Sequence, residues 1–300
     1  MRGDAYIQDL EKRWAEEENL LALPETNDTL PFLFLPRVMN ESVLPRKRTQ
    51  QREIHRSYRN VSMRVRTIDH GPLPYGVTAR KLLLFFSTRA IQEKDRHIRL
   101  GMSEREVMEH LGIARNHKAS KLLRNQVKRL SKLTVEIDYR PKNSKRIEYQ
   151  GVIFSRIVLE REEEQLPLWA SEVVFSRDYF DAIGKRANPF NTSQIARLDS
   201  AFSVDLFLWL ALRLPRATRE WQSLEFYRDL APQFCFTTPG KPHNKYVFSK
   251  SIKRALENIY RVWPAARQAV KWCDTTYELG IRYTGDLVDL KPAPGGWEVS

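Results

Sequence analysis

The chain is poor in the residues that metal sites and disulfide frameworks require. Its 300 residues include two cysteines, Cys235 and Cys273, and neither belongs to a CxxC motif or a Cys/His pair. Its six histidines are scattered without an HxH or HxxxH pair, which removes most structural zinc motifs. Because a secreted protein of this size more often carries disulfides, we expect both cysteines to be reduced thiols in a cytoplasmic protein.

Local catalytic motifs are missing as well. Gly240 and Lys241 do not end a phosphate-binding loop, because position 235 is cysteine instead of glycine and Pro242 follows the lysine. Neither GxGxxG nor GxSxG occurs, and the acidic pairs have the context of a helix cap or a solvated linker. We therefore expect no enzymatic activity, no metal ion and no cofactor.

Long apolar runs are also missing. The longest, Leu82–Phe86 and Leu206–Leu212, are far short of the roughly 20 residues that a membrane-spanning helix needs. The first residues, MRGDAYIQDLEKRW, are charged and lack the apolar core of a signal peptide. The sequence therefore predicts no membrane partner.

Positive charge is what the sequence has in excess. Lys and Arg number 50 against 37 Asp and Glu, which gives a formal net charge of +13. An excess of this size favours a polyanionic partner, which is DNA, RNA or an anionic membrane surface. One concentration lies at 46–66, where eight basic residues accompany a single acid, Glu53. This segment is either a solvated linker or an arm that lies along phosphates.

The first half of the chain predicts an extended segment, a helix, a helix–turn–helix and a hairpin. Ser103 and Glu106 form a capping box that opens the second helix, and Gly112 ends it. In order, the predicted elements are an extended docking segment at 31–38, a strand at 60–68, helices at 78–93, 104–111 and 118–133, and strands at 97–100, 134–139 and 146–160. This order is typical of a winged helix.

The same order recurs after an acidic stretch, Glu160–Glu164, where we place a domain boundary. The second set consists of a strand at 173–175, helices at 178–183, 203–214, 223–230 and 244–260, and a hairpin of 267–272 with 276–283. We predict an α+β fold with two tandem winged-helix domains, at 59–165 and 166–300. An N-terminal extension, 1–58, carries a short helix at 6–22 and the basic arm.

The helix at 118–133 is the first candidate for DNA recognition. Apolar residues cluster on one side of it, basic residues occupy the other, and no acid lies between Glu109 and Glu136. Like charges destabilise a helix, so this one keeps a self-repulsion that a polyphosphate would relieve; the alternative is a solvated basic face. The candidate DNA contacts are Arg115, Lys118, Lys121, Arg124, Asn125, Lys128 and Lys132, with Lys142 and Lys145 as a phosphate clamp at the hairpin turn.

The helix at 244–260 is the second candidate. Phe248, Ile252, Leu256 and Ile259 form its apolar stripe, and basic residues lie outside that stripe. Asn244 is either an N-cap or a base contact. The candidate contacts here are Lys241, His243, Asn244, Lys245, Lys250 and Lys253.

Several segments resemble the RepA family of plasmid-encoded replication proteins. They are HGPLPYGVTARKLLLFFSTRAIQEKDRHIRLG at 70–101, then SEREVMEHLGI and LLRNQVKRLSKLTVEI, and further on LPLWASEVVFSRDYF and FSVDLFLWLALRL. The resemblance covers roughly residues 30–285. It departs at residues 114–117, where ARNH stands in place of the glycine-containing turn that the family commonly has before its recognition helix.

This resemblance implies a bacterial initiator that binds repeated double-stranded sites (iterons) in a plasmid origin. Such proteins help to open the DNA and to recruit the host initiator and the replicative helicase. They are often dimers that repress their own gene and monomers at the origin. A winged-helix transcriptional repressor is the alternative, because DNA-binding chemistry alone does not separate the two. A nickase or relaxase is a third reading, against which the lack of paired histidines argues.

Overall fold

The computed structural model describes residues 32–36, 44–58, 61–100, 102–139, 147–161, 168–235 and 244–284. All of them belong to one compact unit. The described helices are α1 Gly76–Glu93, α2 Glu104–His110, α3 His117–Leu130, α4 Arg177–Arg186, α5 Thr192–Ala196, α6 Ala201–Arg213, α7 Ala231–Phe234, α8 Lys245–Val262 and α9 Ala266–Ala269. A 3₁₀ turn, Leu214–Arg216, follows α6, and a π-helical turn, Phe226–Leu230, runs into α7.

The described strands are β1 Phe32–Pro36, β2 Glu53–Tyr58, β3 Val61–Thr67, β4 His97–Arg99, β5 Leu133–Tyr139, β6 Ile147–Val152, β7 Phe154–Arg161, β8 Leu168–Phe175, β9 Ala187–Asn191, β10 Gln222–Glu225, β11 Val270–Cys273 and β12 Glu278–Ile281. The fold therefore mixes helices and sheets, as the sequence predicts at this level. Helices at 78–93, 203–214 and 244–260 are confirmed to within three residues at each end.

Helices α1 and α6 form the centre of the molecule. Each is buried over most of its length, and a helix whose apolar residues point in many directions is stable in water only when it is buried. Phe85 and Phe86 of α1 are completely buried, as are Leu206 and Leu210 of α6. The two helices pack against each other. They therefore provide the scaffold from which the more polar helices project.

The elements around these two helices repeat in one order. In the first set, β4 follows α1, then come α2 and α3, and β7 and β8 close a sheet of strand order β4-β8-β7. In the second set, β10 follows α6, then come α7 and α8, and β11 and β12 close a sheet of order β10-β12-β11. In both sheets the last strand in the chain lies in the middle. The internal repeat predicted from sequence is therefore present in the topology.

The hairpin predicted at 134–139 and 146–160 differs from the structure. The second predicted strand is two strands, β6 and β7, separated at Ile153. Strands β5 and β6 pair with each other in a four-stranded sheet of order β2-β3-β5-β6, whereas β7 pairs with β8 in the other sheet. Alternating apolar residues indicate a strand but not the strand with which it pairs. The pattern therefore predicted one continuous strand where the chain passes from one sheet to the other. The sequence analysis also missed β2, which lies inside the predicted basic arm.

Two arginines of the predicted basic arm are partly buried against the rest of the protein. The Arg46 guanidinium stacks 3.7 Å from the Phe202 ring centroid and lies 3.7 Å from Oδ2 of Asp205. Arg56 donates a hydrogen bond of 2.5 Å to the backbone carbonyl of Gln233. Burial lowers the pKa of each of these arginines to about 10. For these two residues, both a solvated linker and an arm along phosphates are therefore wrong.

Three other segments refine the sequence predictions. The extended segment at 31–38 is confirmed as β1, which pairs antiparallel with β9. The helix predicted at 223–230 is wrong in its first part, because 222–225 forms β10 and helical structure begins only at Phe226. The strand predicted at 60–68 ends at Thr67, and Ile68 is 61% exposed.

The predicted domain limits 59–165 and 166–300 stay predictions. Strands β7 and β8, which pair with each other, lie on opposite sides of the 165/166 limit, and β8 is the middle strand of its sheet. The helix predicted at 6–22, the turn at 141–144 and the C-terminal segment 291–300 lie outside the described residues.

Candidate nucleic-acid interface

The first helix–turn–helix begins with the capping box that the sequence predicts. Glu106 N–H donates to Oγ of Ser103, and Ser103 N–H donates to Oε2 of Glu106 at 2.7 Å. This backbone hydrogen bond lowers the pKa of Glu106. At the other end of α2, Gly112 has φ +59°, and a Cβ there would lie 2.3 Å from the Ala196 carbonyl oxygen. Glycine is therefore required at the turn both for its conformation and for the close approach of α5.

A buried lysine holds this turn in place. Lys81 of α1 is 2% exposed, and its ammonium donates hydrogen bonds of 2.8 Å to the carbonyls of Leu111 and Ala196. Burial lowers the pKa of Lys81 to about 8. The C-terminal end of α2 and the end of α5 thus share one cation, which satisfies two carbonyls that helix ends leave unpaired.

Helix α3 starts at an N-cap that the sequence analysis left undefined. Asn116 takes an extended conformation, and its Oδ1 accepts a 2.9 Å hydrogen bond from Ala119 N–H. Capping by asparagine replaces the glycine-containing turn expected from the family resemblance. Leu123, Val127 and Leu130 are at most 1% exposed. This confirms which side of the helix the sequence analysis assigned to the core.

The opposite face of α3 is polar, basic and exposed. Four of the predicted contacts lie on it, together with His117, and no acidic residue occurs within α3. They are Lys118, Lys121, Asn125 and Lys128. These side chains are the ones on α3 that can reach a partner without a rearrangement of the fold.

Arg124 does not belong to that exposed face. Its Nε donates a 2.6 Å hydrogen bond to Oε2 of Glu104, and its Nη2 contacts Ser120 Oγ and Glu104 Oε1. Glu104 is 9% exposed, so the pair is largely shielded from water. Arg124 therefore joins α3 to the first turn of α2 and sets the angle between the two helices.

The basic residues at the two ends of the predicted site also have acidic partners. Arg115 forms an ion pair with Glu109, and Lys132 with Asp69. The hydrogen bond from Lys132, with a second one from Gly71 N–H, lowers the pKa of Asp69 to about 2. Acidic residues outside α3 thus form ion pairs with three of the seven candidate residues. The prediction that this segment keeps all of its electrostatic self-repulsion is therefore wrong.

Helix α8 is built on the same plan. Asn244 is its N-cap, because its Oδ1 accepts hydrogen bonds from the N–H groups of Tyr246 and Val247 at 3.0 and 3.1 Å. Phe248 and Ile252 are buried, which confirms the predicted stripe. Of the two roles that the sequence left open for Asn244, the N-cap is confirmed, and the base contact stays a prediction.

The basic residues of α8 differ in their surroundings. Lys250 is exposed. The Lys245 ammonium lies 4.6 Å from the Tyr277 ring centroid. Lys253 donates a 2.7 Å hydrogen bond to Asp274, and the hydrogen bonds from Lys253, Ser249 and Trp272 lower the pKa of this aspartate to about 2. Lys253 thus fastens the β11–β12 turn to the helix.

The structure adds residues to this face that the predicted set lacks. Arg254 is exposed one turn beyond Lys250. Tyr246 and Val247 are 61% and 62% exposed, although both are large and apolar. A helical projection from Phe248 and Ile252 places all three outside the buried stripe, so the sequence held the signal. The sequence analysis considered basic residues as contacts and therefore missed Tyr246 and Val247.

Four predicted contacts, Lys142, Lys145, Lys241 and His243, lie outside the described residues. The assignment of all the candidate residues to DNA contact stays a prediction. Among the residues that the structure describes, no group of His, Cys, Asp and Glu is arranged to hold a metal ion. Within the same residues, no helix combines the length and apolar character needed to cross a bilayer.

The chain is similar to known proteins in sequence family and in fold. The family described as "Plasmid encoded RepA protein" matches residues 73–227, which is slightly more than half of the chain. A crystal structure of selenomethionine derivatives of domains 2 and 3 of RctB has a TM-score of 0.55 at 11% identity, over 82% of this chain and 98% of that one. A crystal structure of RctB domains 2–3 has a TM-score of 0.47 at 12% identity, over 78% of this chain and 83% of that one. No curated protein matches the sequence.

Proposed function

Since the chain belongs to the family of plasmid-encoded RepA proteins, we propose that it is a plasmid replication initiator. It binds repeated double-stranded sites in a plasmid origin, helps to open the DNA, and recruits the host initiator and replicative helicase in the bacterial cytoplasm. The observation that carries the proposal is the exposed face of α3. Lys118, Lys121, Asn125 and Lys128 share this face with no acid, at the second helix of a helix–turn–helix.

We further propose that the two repeated sets of elements are winged helices. In each set a helix, a short strand and two more helices precede a hairpin, and α3 and α8 occupy the position of the recognition helix. The first hairpin, β7–β8, encloses Glu162–Glu164, whose charge phosphates repel. The contact with the DNA backbone beside α3 is therefore assigned to Lys142 and Lys145, which lie between β5 and β6 in the sequence.

The proposal is tested by the salt dependence of binding. The full chain is titrated against a duplex that carries the origin of its plasmid and against an unrelated duplex of equal length. With about 6–10 phosphate contacts, the logarithm of the association constant should fall with the logarithm of salt with a slope of roughly −5 to −9. A slope near zero for both duplexes would contradict nucleic-acid binding. Equal affinity for the two duplexes would contradict sequence-specific recognition.

Two further measurements separate the initiator from the alternatives. An initiator is required in trans for replication of a plasmid that carries the origin, whereas a repressor only lowers transcription from its promoter. The proposed protein acts without a catalytic step, so supercoiled origin DNA incubated with it and Mg²⁺ should remain supercoiled. If the wild-type protein relaxed that DNA, and substitution of a defined carboxylate or histidine abolished the relaxation, the protein would be a nickase instead.

A further inference from the structure

The first turn of α8 exposes two large apolar side chains next to each other. Tyr246 and Val247 are 61% and 62% exposed, whereas Phe248, the next residue, is 4% exposed. A surface helix usually turns its apolar residues towards the core and its polar residues outwards. Single exposed apolar residues are common, but a β-branched residue and a tyrosine side by side are a surface that water solvates poorly. Neither side chain contributes to the core beneath.

This apolar pair lies within a cationic surface. Lys250 is one turn further along the helix on the same face, and Arg254 one turn beyond that, and both are exposed. The Tyr246 ring is held edge-to-face against Tyr277 at 5.5 Å between centroids, with the Lys245 ammonium over both rings. Val247 has no such ring partner. The turn therefore presents one oriented aromatic ring and one open pair of methyl groups, followed by two cations.

Helix α3 lacks this feature, although it occupies the equivalent place in the first repeat. Its exposed residues are polar or basic throughout: His117, Lys118, Lys121, Asn125 and Lys128. The two helices thus offer different chemistry to a common partner. One face suits phosphates and hydrogen-bonding base edges, and the other adds an apolar contact.

We propose that Val247, supported by Tyr246, reads the 5-methyl group of thymine in the major groove of double-stranded DNA. This inference rests on the proposed function, in which α8 is a recognition helix. Thymine is the base that displays a methyl group in the major groove, and apolar side chains recognise it by contact. The charges favour this occupant, because Lys250 and Arg254 are exposed cations on the same face and phosphates are anions.

The test uses the full chain, a random-sequence duplex library as the probe, and two alanine variants. Val247→Ala removes the two methyl groups. Ile68→Ala is the matched control, because Ile68 is equally exposed at 61% but lies in the turn after β3. Sequences selected by each protein are compared, and the best duplex is then resynthesised with deoxyuridine, which lacks the methyl group, at each thymine in turn. Thermal melting of each variant shows whether it is folded.

The wild-type protein and Ile68→Ala should select one motif in which thymine is preferred at a particular position. Deoxyuridine there should weaken binding by the wild type about fourfold, the loss expected for one methyl group that no longer leaves water. Val247→Ala should bind the two duplexes equally and should select other bases at that position. Val247→Thr, which retains one methyl group, should fall between these cases and guards against a loss of folding in the alanine variant.

A motif that is unchanged in Val247→Ala, with no effect of deoxyuridine at any thymine, would overturn the thymine contact while the proposed function stands. A wild-type chain that selects no motif at all would contradict the proposed function itself. If Val247→Ala instead changed the oligomeric mass measured by light scattering, at unchanged DNA preference, the apolar pair would be an interface with a second copy of the chain.

Discussion

Arg80 of α1 and Asp205 of α6 form a buried, two-pronged ion pair between the first helices of the two repeats. Arg80 Nε and Nη2 lie 2.5 and 2.9 Å from the two carboxylate oxygens, and the side chains are 6% and 5% exposed. The same guanidinium donates to the carbonyls of Leu44, Pro45 and Gly76. One arginine thus joins both repeats and the segment that precedes β2.

We expect Asp205→Asn to lower the free energy of unfolding by about 3–5 kcal/mol, because it leaves Arg80 and the adjacent Arg46 without their buried counter-charge. Urea denaturation measures this loss. Glu53→Gln serves as the control, since Glu53 and its partner Arg64 are about half exposed and such pairs contribute about 0–1 kcal/mol. Equal losses in the two variants would show that burial of the Arg80–Asp205 pair has no energetic consequence.

The two kinds of basic residue on α3 should separate in a comparison of variants. Lys128→Gln removes one phosphate contact from the exposed face, so the salt slope of DNA binding should become shallower by about 1 with an unchanged thermal midpoint. Arg124→Gln removes the positive charge that faces the shielded carboxylate of Glu104 and should lower the unfolding free energy by about 1–3 kcal/mol.

Arg219→Gln, at an exposed position in the loop after α6, is the control for these variants and should change neither quantity. The assignment fails if Lys128→Gln destabilises the protein as much as Arg124→Gln does.

Lys81 should make stability depend on pH in the alkaline range. Its pKa is about 8 in the folded protein and 10.5 when unfolded, so between these values the unfolded chain binds more protons. The free energy of unfolding that Lys81 controls therefore rises as pH increases from about 8 to 10.5, by up to about 3 kcal/mol. Lys81→Met should lose this rise, measured as the difference between urea denaturation curves of the two proteins. A difference that does not vary with pH would exclude a lowered pKa.

The two cysteines should react at very different rates. Hydrogen bonds from Thr276 and Thr275 lower the pKa of Cys273 to about 7, whereas burial raises that of Cys235 to about 11. The thiolate is the reactive form. We expect a disulfide reagent to modify one thiol rapidly in the folded protein, with a rate that rises as pH increases through about 7. Cys273→Ser should remove that phase, and Cys235→Ser should leave it unchanged.

Local chemistry in the sequence predicted local structure well. The capping box of Ser103 and Glu106, the glycine after α2 and the apolar phase of α3 are all confirmed, because each is decided by residues within about one helical turn. Helix α8 followed from the same reasoning. The repeat of element order followed in turn from the correct placement of these helices.

Partners that are distant in sequence could not be predicted in the same way. The pattern does not show that Ile153 separates strands of two different sheets, because both strands alternate with the same period. Arg46 looks like a solvent-exposed basic residue in the sequence, but Asp205 and Phe202, far along the chain, contact it. Arg56 likewise donates to the carbonyl of the distant Gln233. Gln126 interrupts the apolar face of α3 and is fully buried, since its Oε1 accepts from Tyr75 N–H. Arg124 was likewise predicted to contact DNA because of its charge alone.

The ammonium of Lys81, placed between the turn that precedes α3 and the end of α5, has a geometric consequence for the proposed binding of DNA. The reading helix of the first repeat cannot swing independently, because the carbonyl of Ala196 is fixed to the same cation and lies against Gly112. If α3 and α8 bind DNA as proposed, a protein braced in this way should accept only one spacing between the two sequences. Inserting half a helical turn of base pairs would place the two bound sequences on opposite sides of the DNA. The braced chain could then not contact both of them.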